Sequence, residues 1–106
     1  MPKYLIQANY VGDGVKGLLK EGGTSRRAAT EKAVKSLGGT LEAFYFAFGE
    51  TDAFAIVDIP DNAGMAAISL TAAASGAVTS KTTVLLTPEE VDEAVKKVPN
   101  YRPPGQ

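Results

Sequence analysis

Apolar and polar positions alternate from Tyr4 to Tyr10, the two-residue period of a strand that turns one face to a core. Gly12-Asp13-Gly14 ends that pattern, and a short helical turn over Val15 to Lys20 leads to the breaker Gly22-Gly23. Thr24 or Ser25 can cap the helix that follows, which runs to Leu37 and stops at Gly38-Gly39. Leu41 to Phe48 and Ala53 to Ile59 read as two strands joined by a hairpin turn at Gly49-Glu50-Thr51-Asp52. Asp61 or Asn62 then caps an alanine-rich second helix ending at Ser75-Gly76, and the β-branched run Val78 to Leu86 supplies a fourth strand. Thr87-Pro88-Glu89-Glu90 is a complete helix start: a capping hydroxyl, a proline at the first helical position and a glutamate that reaches back. Val91, Ala94, Val95 and Val98 form one apolar stripe on this last helix before Pro99 ends it.

The order βαββαβ plus a final helix predicts an α+β, ferredoxin-like domain: one antiparallel sheet with two helices on one face. The domain spans residues 1–98, and residues 99–106 form an extended, proline-rich tail. Such a sheet has a second face that its own chain leaves bare. Phe44, Phe46 and Phe48 alternate along the second strand, and Phe54 and Ile56 alternate with Ala55, Val57 and Ile59 along the third, so both faces carry apolar residues. A homodimer or higher oligomer that covers the bare face is therefore expected.

With these elements in place the chain resembles the GYD family of small proteins, themselves similar to the dimeric α/β-barrel group. The resemblance runs from about Tyr4 to Leu86. It is carried by the strand-helix opening that ends in Gly38-Gly39, by Gly49-Glu50-Thr51-Asp52 at the Gly-x-Tyr-Asp turn, by Pro60-Asp61 and by Ser75-Gly76. Thr51 stands where the family has its tyrosine. The resemblance implies the ferredoxin-like fold and a dimeric α/β barrel without specifying a chemistry, because dimeric barrels of this type include cofactor-free oxygenases and isomerases as well as proteins of unknown role.

Composition narrows the chemistry further. The 106-residue chain has a net charge of −1 and no basic footprint for a phosphate backbone, which argues against nucleic acid as a partner. It contains no histidine and no cysteine, which excludes imidazole and thiolate metal sites, their nucleophiles and disulfides. No cofactor fingerprint is present, since Gly-x-Gly-x-x-Gly and the Gly-Lys-Ser/Thr of a phosphate loop are both missing. Met1-Pro2-Lys3-Tyr4 enters a strand directly, without a charged leader and apolar segment, so a cytoplasmic location is expected. The uncharged stretch Asn62 to Ser80 draws its bulk from alanine and is interrupted by Gly64, Ser69, Thr71, Ser75, Gly76 and Thr79. It falls short of the roughly 20 apolar residues that cross a bilayer, so no membrane partner is expected.

One constellation carries candidate chemistry. The inward stripe of the main helix runs through Ala29, Ala33 and Leu37, and Arg26 and Thr30 fall on it at helical spacing. A guanidinium aimed at the sheet cannot lose its charge and needs a carboxylate or a bound anion. The first and second strands run parallel, so Asn9, Tyr10, Arg26 and the turn at Asp52 share one end of the sheet, where the fourth strand brings Ser80 and Lys81. The resulting expectation is a polar pocket between helix and sheet. In it Arg26 and Lys81 face a small anionic or carbonyl-bearing ligand, Asp52 orients Arg26, and Tyr45 forms part of the wall. The structural alternative makes Arg26 and Asp52 an ion pair that fixes the hairpin and Lys81 a guard of an edge strand.

Other features weigh less. Gly22-Gly23 before Thr24 offers amides for a phosphate, or simply a joint between two helical pieces. Phe44-Tyr45-Phe46-Ala47-Phe48 is similar in pattern to an aromatic RNA platform, but no basic residue flanks it and a core or interface role is expected. Glu42, Glu50, Asp52 and Asp58 show no paired acid-base or calcium-loop spacing. The sequence thus points to a small oligomeric protein that binds a small ligand or partner. A cofactor-independent enzyme for a small carbonyl or aromatic compound, assisted by Arg26, Tyr45 and Asp52, is the alternative, and a purely structural oligomer is the third class.

Overall fold

A computed structural model describes all of residues 1–106. It comprises β1 (Lys3–Tyr10), α1 (Asp13–Ser36), β2 (Thr40–Phe46), β3 (Ala53–Asp58), α2 (Asn62–Ala74), β4 (Val78–Leu85) and α3 (Pro88–Val95). The four strands form one antiparallel sheet in the order β2-β3-β1-β4. The architecture is α+β, with the two longer helices on the same face of the sheet.

The register sorts the side chains. Tyr4, Ile6, Ala8 and Tyr10 pair with Val57, Ala55, Ala53 on β3 and with Val84, Thr82, Ser80, Val78 on β4, and this set faces the helices. Phe44 and Phe46, opposite Ala55 and Ala53, join it. A bulge between Leu41 and Ala43 resets the alternation, so Leu41 packs against the core as well. The open face carries Leu5, Ile56, Phe54 and Tyr45, then Gln7, Lys81 and Thr83 toward the β4 edge. The aromatic strand β2 is therefore split between faces, and the open face is apolar on one half and polar on the other. Phe48 lies beyond the end of β2 and is fully exposed.

The core is small and lies at one end, where Tyr4, Val34, Val57, Ile59 and Met65 pack together. Tyr4 donates its hydroxyl hydrogen to Asn62 at the start of α2, and Asp61 caps that helix by accepting from the Gly64 amide at 2.8 Å. Lys3 on the open face bridges Glu42 at 2.7 Å and Asp58 at 3.0 Å, which gives Asp58 an ion-pair role.

The helix α1 is two helical pieces joined by a kink, as the Gly22-Gly23 breaker predicts, and only the cap of the second piece differs from expectation. It begins at Asp13 and is broken only at Gly22, whose φ of 81° and ψ of 171° lie in a region open to glycine alone. Neither Thr24 nor Ser25 caps the second half, because the chain turns at Gly22 itself and re-enters helical geometry at Gly23. Val34 is the residue this helix buries, whereas Ala29 is exposed.

At the other end of the chain, Thr87 and Glu90 form the expected capping box of α3. Every residue from Pro88 to Gln106 is nonetheless exposed, including Val91, Val95 and Val98. The accessible surface of 7484 Å² exceeds by roughly 1,900 Å² that of a compact monomer of this mass. The radius of gyration, 16.8 Å, likewise exceeds the roughly 13 Å of a compact domain of this length.

Candidate functional site

The two long helices sit over opposite parts of the sheet, α1 against β2 and α2 against β4. Between them the sheet is floored by small residues, Ala8, Ala53 and Ala55, and the space above that floor stays open. The resulting cleft has a volume of about 400 Å³, the size of a small-molecule site. Phe44, Met65 and Ile68 contribute apolar walls, while Thr30, Ser69 and Ser80 supply hydroxyls.

Arg26 is the one charged residue that lines the cleft. Its Nη1 lies 3.7 Å from Glu21 Oε1, a long contact between side chains that are both more than a third exposed, and the guanidinium makes no hydrogen bond within the protein. An exposed pair of that geometry is weak. Beside it stands Tyr10, packed against Phe46 with ring centroids 6.5 Å apart. Burial pushes the Tyr10 phenol above its ordinary 10.0. The nearby Arg26 opposes that rise, and Glu21 and Asp52 add to it. At neutral pH Tyr10 is thus a hydrogen-bond donor, and its hydroxyl has no partner in the protein. Tyr10, Arg26 and Val78 also border a smaller cavity of about 170 Å³ that reaches Asp13 and Glu21, so they form a partition between the two spaces.

The four residues expected to share the pocket separate. Arg26 lines the cleft as anticipated. Tyr45, opposite Phe54, and Lys81, opposite Gln7, lie on the open face of the sheet, because strand alternation points them away from the helices. Asp52 does not orient Arg26; Glu21 is the ion-pair partner instead. The Asp52 carboxylate accepts from the Tyr10 backbone amide at 3.0 Å, and the Asp52 amide donates to Asn9 Oδ1 at 2.9 Å. Together with the Ala47 amide donating to the Asp52 carbonyl at 2.8 Å, these bonds close the β2–β3 turn and fasten it to β1. The expected Arg26–Asp52 ion pair is therefore absent, and the hairpin is held instead by the Asp52 bonds to the Tyr10 amide and Asn9.

Tyr10 completes the site although only Arg26 of the four expected residues lines the cleft. Its alternation with Tyr4, Ile6 and Ala8 was the available signal, since three helix-facing neighbours imply a fourth. No group of three or more histidine, cysteine, aspartate or glutamate side chains is arranged to hold a metal ion. No helix is long and apolar enough to cross a membrane.

These features define a small α+β protein with an apolar, ligand-sized cleft and one cationic end. The chain belongs to the GYD domain family, whose pattern it matches over residues 4–95. No curated protein and no solved structure matches the chain.

Proposed function

We propose that this protein is an oligomeric small-ligand-binding protein whose ligand lies in the cleft between α1, α2 and the sheet. The observation that carries the reading is an open, apolar space of about 400 Å³ with a guanidinium and a phenol at one end, neither hydrogen-bonded within the protein. A packed structural oligomer has no use for that space, and three alanines in its floor keep it open. Binding fits better than catalysis, because Tyr10 stays protonated at neutral pH and Arg26 cannot give up a proton. Neither is a base.

The strand order β2-β3-β1-β4 supports the ferredoxin-like description, and the family relationship supports assembly of two copies through their open sheet faces. The roughly 1,900 Å² of excess surface is what one partner of a large, permanent interface buries. Lys81 and Tyr45 then belong to that interface or its rim. Native mass spectrometry of freshly purified protein tests both parts at once. A dimer or larger assembly carrying a small added mass is the expected result. A ligand-free monomer overturns the reading.

A further inference from the structure

We propose, building on the cleft reading above, that the ligand is an amphipathic monocarboxylate, with its carboxylate held by Arg26 and Tyr10 Oη and its apolar body lying along the Ala8, Ala53 and Ala55 floor. Three features of the cleft select that class. The first is charge: Arg26 is the only charged group in the lining, and the carboxylates of Glu21 and Asp13 border the smaller cavity on the far side of the Arg26–Tyr10 partition. An anionic head on the cleft side neutralises the guanidinium and adds charge-assisted bonds that the 3.7 Å contact with Glu21 does not supply. The planar fork of arginine matches the two oxygens of a carboxylate, and the Tyr10 hydroxyl is free to donate to one of them.

The second feature is length. From Tyr10 to Ile6 the floor runs four residues along β1, about 13 Å at strand spacing. That accommodates an extended chain of about ten atoms or a fused aromatic body. The third is the far end, where Ile6, Ala33, Leu37 and Met65 offer no charge. A second carboxylate there meets no cation to pair with, so the lining favours one carboxylate over two.

The test is a calorimetric titration of the full chain with decanoate, decanol, decylamine and decanedioate. Decanoate is expected to bind about ten- to a hundredfold more tightly than decanol, the gain of a charge-assisted bond over a neutral one, and decylamine and decanedioate more weakly still. Arg26→Gln brings decanoate down to the affinity of decanol, Tyr10→Phe weakens decanoate alone, and Ala55→Leu, which fills the floor, abolishes both. The comparison of the four compounds on the unaltered protein stands even if a variant folds poorly. Equal binding of decanoate and decanol overturns the carboxylate class and leaves the cleft as a ligand site. Failure of all four to bind, or binding that Ala55→Leu does not change, overturns the cleft reading with it.

Discussion

At the residue scale, single side chains divide into those that hold the fold and those that leave bonding capacity unused. Ile59 is fully buried within the small core of Tyr4, Val34, Val57 and Met65. So few other residues are buried that its loss has little to redistribute onto. Ile59→Ala is expected to lower stability by about 2–5 kcal/mol, measured by urea unfolding. Lys3 is a different case, an exposed ammonium held above its ordinary 10.5 by hydrogen bonds to Glu42 and then Asp58. A raised lysine value favours the folded state while the amine is protonated. The advantage is full below about pH 10 and is lost as the pH rises through the folded-state value. Lys3→Met should therefore unfold more easily than the parent protein at pH 8, and the gap between the two melting curves should close as the pH rises through the folded-state value. Tyr10 lies on the other side of the division. Helical spacing placed Arg26 over the sheet but could not reveal that Asp52 is spent on the Tyr10 amide, because a backbone donor leaves no trace in residue spacing.

At the element scale, the chain's punctuation was highly legible. Asp61 caps α2, Thr87 and Glu90 cap α3, and the glycine pair at 38 and 39 ends α1, all as local signals required. These signals act over three or four residues, so no tertiary context competes with them. The middle of α1 was harder to read. Gly22-Gly23 marks a break, but which glycine turns and which rejoins the helix depends on how the two halves seat against the sheet. The observed break at Gly22 predicts a contrast with Gly17. A side chain at either position meets no neighbouring atom, so only the backbone responds. Gly17 is helical, and Gly17→Ala should stabilise by about 0.5–1 kcal/mol. Gly22→Ala forces a side chain into a conformation with φ of 81° and should cost about 1–3 kcal/mol. Because Arg26 follows that break by one turn, the same variant should weaken ligand binding while Gly17→Ala leaves it intact. Thermal melts and titrations of the two proteins measure both effects.

At the scale of the whole molecule, the dominant fact is uncovered surface beyond what a compact monomer exposes. The open face of the sheet spans four strands by six to eight residues, a footprint of about 400–500 Å² at standard strand spacings. That is well short of the excess of roughly 1,900 Å², so the sheet face is not the whole of it. On α3, Val91 and Val95 supply another share, joined by Val98 just past the helix end rather than on the helix as the stripe predicted, with a helix start as strong as any in the chain and little from its own chain to pack against. The sequence displayed both surfaces plainly, but a single chain's pattern does not say which surfaces meet. Ile56 separates the possibilities. It sits on β3 opposite Leu5 and beside Ala43 on the open face, away from the cleft. Ile56→Asp places a charge in the middle of any sheet-to-sheet contact while leaving the helix side untouched. Sedimentation velocity should show the parent protein as a dimer or larger, and the variant should require at least about tenfold higher concentration to assemble, since an unpaired buried charge costs several kcal/mol. If the variant assembles as well as the parent, association runs through α3 instead, and removal of residues 88–106 should then yield the monomer. A parent protein that is monomeric at every concentration would mean that neither surface is an interface.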